Sequence, residues 1–339
     1  MIERQTYRLR SGNIGNLKIS SERLDDPGPG QVQIRVKSIG LNFADIFAIW
    51  GLYSATPKGS FIPGLEYSGV INRIGPDVPG VSLGDRVMGI IRFGAYTDVL
   101  NIDARYIVPI PSDWSFEQGA SFLVQVMTAY YALFELGNLQ VGQTVLIHSG
   151  AGGVGIFANR LAKQLQAYTI GSTSTVTKKD FMLAEGYNDI IVRSGSFATD
   201  LERVLNGRPL HLVMECIGGR ILKAGLRQLA PQGRMVVYGS AQYASTGNKP
   251  QYLSMLWKYI RRPKIDPLSL PNSNRSVMGF NLIWLYHEAE RMHDLLKKIH
   301  QFDIGVPYVG RTFPFSELPQ AIRLFQTGTT MGKVVVNVG

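Results

Sequence analysis

The 339-residue chain has one cysteine, Cys216, which excludes a disulfide framework and any cysteine-rich zinc site. Its five histidines, His148 among them, show no metal-ligand spacing. No apolar run reaches the length of a membrane span; the best stretch, Phe122 to Phe134, is short and contains Gln125. The opening Met1-Ile2-Glu3-Arg4-Gln5 is too polar for a secretory signal. These absences predict a soluble, cytoplasmic protein in a reducing compartment, with neither membrane nor nucleic acid as a partner. Acid is also in deficit: 25 Asp+Glu against 35 Lys+Arg leave a charge of +10, a surplus that favours acidic partners. The tightest basic cluster, Lys258, Arg261, Arg262 and Lys264, is too small for a nucleic-acid surface and reads as an ordinary solvated face.

What is present is enough apolar residue (45%) to build a sizeable core, over a length that suggests two domains. The first 110 or so residues read as short strands divided by turns. Gln31-Val-Gln-Ile-Arg-Val-Lys alternates as a half-buried strand does, and Asp26-Pro27-Gly28-Pro29-Gly30 is turn chemistry. The pattern changes near Pro111. Ser115-Phe116-Glu117-Gln118 fits a capping box, predicting a long helical segment through Leu133. Strands at Thr144–His148, Tyr168–Ser172, His211–Glu215 and Met235–Tyr238 then alternate with helices, the first at Val154–Leu165, which reads as a doubly wound parallel sheet. An amphipathic helix from Leu285 to His300 and a closing strand from Lys333 complete the chain.

The most informative segment is Gly150-Ala-Gly152-Gly153-Val154-Gly155, a GxGxxG placed after the apolar Val145-Leu-Ile-His and opening a helix. Gly150 suits the tight turn, Gly152 close approach to a pyrophosphate and Gly155 close helix–strand packing, with the helix N-terminus aimed at the phosphates. At the end of the second strand, where an NAD site carries an acid for the ribose 2′-hydroxyl, this chain has Gly171-Ser172-Thr173-Ser174 and no acid until Asp180. Hydroxyls, Lys178 and Arg193 suit a 2′-phosphate instead, so the predicted cofactor is NADPH.

Gly40-Leu41-Asn42-Phe43-Ala44-Asp45, Gly51-Leu52-Tyr53, Pro63-Gly64-Leu65-Glu66-Tyr67-Ser68-Gly69-Val70, Gly84-Asp85-Arg86-Val87, the glycine loop and Gly332-Lys333-Val334-Val335 recur in the order of the medium-chain dehydrogenase/reductase superfamily. The chain most resembles its zinc-independent quinone oxidoreductase branch. That resemblance implies a GroES-like β-rich domain over residues 1–120, completed by 279–339, and a Rossmann NADPH-binding domain over 121–278. Asn42 stands where zinc-dependent members have cysteine, Leu65 where they have histidine, and the four-cysteine structural lobe is absent, so no metal is expected.

Asn16-Leu17-Lys18-Ile19 and Thr128-Ala129-Tyr130-Tyr131-Ala132-Leu133 resemble enoyl reductase domains of modular polyketide synthases, most closely the cyanobacterial curacin and jamaicamide type. The run Val277–Leu282 is similar to a subgroup near quinone oxidoreductases and vesicle amine transport-like reductases. The resemblance implies NADPH-dependent reduction of an enoyl thioester on an acidic acyl carrier protein, with hydride added at the β-carbon. Protonation at the α-carbon follows or, with a γ-chloro substrate, cyclopropane closure; the sequence leaves these two outcomes open. Tyr53 matches the proton donor, with a pocket-wall aromatic and a water donor as the alternative. Asn42 and Thr128 match positions near the nicotinamide ribose and carboxamide; Tyr238, Ser240 and Phe280 line the nicotinamide end, and Lys333 matches a basic residue near the pyrophosphate. Gly239 is followed by Ser240, so a lysine–acid proton-delivery pair is not carried over. Cys216 reads as a small core residue. Quinone reduction and non-catalytic dinucleotide binding remain alternatives, and oligomeric state, a homodimer included, is open.

Overall fold

The computed structural model describes residues 1–339. Its six parallel strands are ordered Asp189–Val192, Tyr168–Thr173, Thr144–His148, Leu210–Glu215, Leu229–Val237 and Ser276–Gly279. The direction of winding therefore reverses between Thr144–His148 and Leu210–Glu215, where a doubly wound sheet opens its ligand crevice. Both strands are almost wholly buried, as expected where helices cover both faces of a parallel sheet.

The β-rich domain holds a seven-stranded sheet centred on Gln31–Gly40, which pairs antiparallel with Glu66–Ile74, with Val99–Asp103 and with the closing strand Lys333–Asn337. A smaller sheet of three strands, led by Ile2–Arg10, packs beside it. One continuous apolar core runs from these strands through Leu123–Tyr130 into the Rossmann helices. The fold is thus a GroES-like domain joined to a Rossmann domain.

The closing segment returns to the seven-stranded sheet at Val309–Pro314. The preceding Ala289–Ile299 helix buries Met292, Leu295, Leu296 and Ile299 and packs on both Leu123–Tyr130 and Ala104–Tyr106. One expectation is modified: the helix expected from Ser115 to Leu133 is not continuous. The capping box forms, but Phe116–Gly119 stops after one turn, Leu123–Tyr130 starts afresh, and Tyr131–Leu136 continues as a wider turn. The restart has a physical cause: the buried Glu66 carboxylate accepts the Val124 N–H at 3.0 Å, satisfying a first-turn amide and placing negative charge at a helix N-terminus.

Candidate active site

A cavity of about 1370 Å³ opens between the domains at the sheet's reversal point. Its floor is the glycine turn. Ser149, not Gly150, adopts the left-handed conformation (φ 55°). Gly150 is required instead by neighbours, since a Cβ there would lie 2.5 Å from Met182 and 2.9 Å from the Tyr187 hydroxyl. At Gly155 a Cβ would fall 2.6 Å from both the Gly150 Cα and the Ser149 carbonyl, so only glycine lets the helix pack this closely. Gly152 caps the Gly153–Gln164 helix, and Gly152, Gly153, Val154 and Gly155 all face the cavity.

Thr173, Ser174, Lys178 and Arg193 form one end of the cavity. Burial, then the neighbouring Arg193 charge, lowers the Lys178 ammonium to about 8. Lys178 donates to the Gly328 carbonyl at 2.6 Å, and no carboxylate shares that wall. Two partly buried cations without a counter-ion fit a phosphate dianion. Ser172 does not belong to this wall. Adjacent strand residues point to opposite faces, and Ser172, fully buried, meets His148 Nδ1 at 2.7 Å and accepts from Arg193 at 3.0 Å. It positions Arg193 from behind. The same hidden network continues from His148 to Glu215, 3.3 Å away. Burial opposes ionisation of Glu215, but His148 and the Gly218 and Ile217 amides outweigh it and hold the carboxyl below its ordinary range.

Asn42, Gln125, Thr128, Tyr238, Ser240, Phe280 and Lys333 also reach the cavity wall. Thr128 donates its proton to the Val124 carbonyl at 2.6 Å, leaving its oxygen to accept from a ligand amide. Lys333 departs from its expected role. Gly332 donates to the Ala151 carbonyl, which brings this backbone beside the glycine loop, yet the Lys333 ammonium points into the wall. There it donates to Glu66 Oε2 and Asn42 Oδ1, both at 2.8 Å, and is 3% exposed. It serves as counter-ion to Glu66 rather than as a free phosphate ligand.

Tyr53 lies on the wall with its hydroxyl donating to Asn281 Oδ1 at 2.7 Å. Burial raises the phenol to about 12, so it stays protonated across the physiological range. Behind it Asp45 is buried and accepts from the Asn42 amide and the Tyr96 hydroxyl, and burial holds its carboxyl up to about 7.

Sequence reasoning missed Asn281, Glu66, Gln125 and Arg92; Cys216, read as a core residue, packs against the Rossmann core and also borders the cavity, its Sγ 3.6 Å from Ser149 Oγ. It also missed the Tyr252–Ile260 helix at the rim. Cys216 was detectable from its place directly after an apolar strand, where crevice residues collect. The others are brought in by tertiary pairing. Among the side chains lining the cavity, Arg92, Lys178 and Arg193 have no carboxylate partner, whereas Arg291 pairs with Glu288 and Lys333 with Glu66.

A glycine turn at the reversal point of a Rossmann sheet, facing a GroES-like lobe across a basic cavity, defines a two-domain nucleotide-dependent oxidoreductase. Residues 28–112 match the alcohol dehydrogenase GroES-like domain, and 186–336 match the zinc-binding dehydrogenase family. The human synaptic vesicle membrane protein VAT-1 homolog is 32% identical over 317 residues, covering 92% of this chain and 80% of that protein. A stretch of the Mycobacterium tuberculosis mycoketide-CoA synthase is 31% identical over 342 residues, 97% of this chain and 8% of the synthase. Among solved structures, mycobacterial Rv1454c complexed with NADPH superposes with a TM-score of 0.84 at 25% identity, over 98% of this chain and 99% of that one. The CurF ER cyclopropanase of curacin A biosynthesis gives 0.85 at 21% identity over 99% of both chains, a likeness of fold. The chain belongs to the medium-chain dehydrogenase/reductase superfamily of oxidoreductases. No three His, Cys, Asp or Glu side chains converge as a metal site would need, and no helix is long and apolar enough to cross a membrane.

Proposed function

We propose that the protein reduces the carbon–carbon double bond of an enoyl thioester with NADPH, without a metal, in polyketide-type chain assembly. Support comes from the mycoketide-CoA synthase stretch, from Lys178 and Arg193, which have no carboxylate partner and suit a 2′-phosphate, and above all from Tyr53. A phenol held neutral by burial, its hydroxyl directed by Asn281 at the cavity wall, is the proton source that conjugate reduction requires.

The cofactor is NADPH: the Gly152–Gly155 amides would hold its pyrophosphate, Thr173, Ser174, Lys178 and Arg193 its 2′-phosphate, and Thr128, Tyr238, Ser240 and Phe280 its nicotinamide end. When bound it supplies a hydride to the substrate β-carbon. The chain's own work is orientation and proton control. Asn42 is clamped by Gln125 and Lys333 and cannot rotate freely. Tyr53 delivers its proton to the α-carbon of the resulting thioester enolate and must release Asn281 to do so. With a γ-chloro substrate the enolate carbon can instead bond to the γ-carbon and expel chloride. Which occurs depends on whether the proton arrives first.

Quinone reduction is the second reading, favoured by the many aromatic walls, among them Tyr106, Tyr238, Phe280 and Tyr286. Incubation with NADPH and either crotonyl-pantetheine or a benzoquinone separates them. Butyryl-pantetheine is expected; hydroquinone formed with untouched crotonyl thioester would overturn the reading.

A further inference from the structure

The Tyr252–Ile260 helix has no buried residue. Tyr252, Met255, Leu256 and Tyr259 follow helical spacing along the side that borders the cavity. On another side Leu253, Trp257 and Ile260 also follow helical spacing, 85%, 56% and 61% exposed. Tyr252, Leu256 and Tyr259 on the cavity side are themselves 59%, 55% and 53% exposed, and a short helix with two apolar sides open to solvent is unusual for a protein surface and marks an interaction site.

Its charge narrows the partner. From Cys216 to Ile265 the chain contains no Asp or Glu, and the helix and its exit carry Lys258, Arg261, Arg262 and Lys264. Arg261 stacks on the Trp257 ring at 3.8 Å and Arg262 on the Tyr259 ring at 3.7 Å. Neither guanidinium has a carboxylate partner, whereas other surface arginines, such as Arg105 and Arg203, do. A guanidinium fixed on an aromatic face is pre-organised to receive a carboxylate through two N–H groups. The same stacking covers the rings with charge, which suits a protein surface better than the acyl layer of a bilayer. Aromatic, Arg and apolar side chains grouped in this way are the composition of an interface centre.

We infer that this helix is the docking surface for an acidic acyl carrier protein, which presents its tethered thioester over the cavity rim. The inference rests on the enoyl-thioester reading above and adds where the carrier sits. Leu253, Trp257 and Ile260 form the apolar centre of the contact, and Arg261 and Arg262 pair with carrier carboxylates at its edge. Opposite charge there accelerates encounter and is weakened by salt.

The test compares crotonyl-loaded acyl carrier protein with crotonyl-pantetheine, in the intact chain and in an Arg261→Glu/Arg262→Glu variant. Neither arginine borders the cavity. The variant is expected to lose roughly tenfold in kcat/KM on the carrier substrate at low salt and nothing on the free thioester. High salt should bring the unmodified chain toward the variant. Titration of unloaded carrier, followed by fluorescence anisotropy, should show the same loss of affinity. Equal kcat/KM on the carrier substrate in both proteins would overturn the assignment. So would Arg261- and Arg262-dependent binding to phosphatidylglycerol vesicles without carrier binding, or a dimer that a Leu253→Asp/Trp257→Asp variant dissociates without altering carrier affinity. If neither thioester is reduced, the chemistry proposed above falls, while the carrier titration still decides the surface.

Discussion

The Tyr53 hydroxyl donates to Asn281 Oδ1 across 2.7 Å, joining two residues 228 positions apart at the wall of the cavity. Asn281 also takes part in the turn that starts Leu282–Leu285, so its oxygen is held in place. The pair therefore fixes the direction of the phenol while burial fixes its protonation. Tyr53→Phe removes the proton and is expected to lower kcat by roughly a hundredfold on an enoyl thioester, the scale of a general acid. Asn281→Ala keeps the proton but frees its direction, and should cost less in kcat while scrambling the stereochemistry of α-protonation in deuterated water. On a γ-chloro substrate Tyr53→Phe should shift product toward the cyclopropane. Unchanged rate and product in Tyr53→Phe would remove the phenol from the reaction.

The phosphate end predicts a pH-dependent cofactor choice. Lys178, lowered to about 8 by burial and by Arg193, is charged below that pH and neutral above it. A 2′-phosphate completes its ionisation near about pH 6. Preference for NADPH over NADH should thus be greatest between these values and fall as pH rises through about 8. Binding titrations of both nucleotides across that range measure it, and Lys178→Met should flatten the upper limb. Arg193 stays charged throughout and keeps a residual preference, so it is the absence of any fall between pH ~7 and ~9 in the unmodified chain that would remove Lys178 from the discrimination.

Glu66 and Lys333 form a nearly dry ion pair, with 0% and 3% of each side chain exposed. Removing one partner strands the other's charge. Lys333→Met is expected to destabilise the fold by about 3–5 kcal/mol, and the Glu66→Gln/Lys333→Met double variant by less than the sum of the singles. Denaturant unfolding reads both. Additive losses would mean that the two side chains act independently.

Asp45 predicts the sign of a stability change. In the unfolded chain its carboxyl ionises near about 3.9; in the fold, burial raises it to about 7. Between these values the folded chain binds the extra proton, so the contribution of Asp45 is full below about pH 4 and lost as pH rises through about 7. Relative to Asp45→Asn, the unmodified chain should therefore lose stability from about pH 5 to about pH 7.5. A constant difference between the two proteins would contradict this.

The Rossmann strands and the glycine turn are legible in the sequence because their signals are local: apolar runs of strand length, a glycine spacing and a helix start. The missing acid after the second strand is also local. The site's polar wall is not. Lys333 turns away from the glycine loop because Glu66, far earlier in the chain, draws its ammonium inward, and that same carboxylate receives the first turn of the helix that restarts at Leu123. Ser172 and Thr173 are adjacent hydroxyls, and composition alone does not say which faces the crevice; strand alternation allows only one. The Tyr252–Ile260 helix shows only its cations to a reading of the sequence, because its apolar residues lie on two sides, flanking Ser254 and Lys258, and none of them is buried.

The central claim, that hydride passes to the β-carbon of an enoyl thioester and a proton follows at the α-carbon, is tested most directly by isotopic labelling. Crotonyl-pantetheine is incubated with NADPH deuterated at C4 in water, and with unlabelled NADPH in deuterium oxide, and the product is analysed by mass and NMR. Cofactor deuterium is expected at the β-carbon and solvent deuterium at the α-carbon of butyryl-pantetheine. Thioester recovered unlabelled, while NADPH is consumed by a quinone in the same protein preparation, would contradict it.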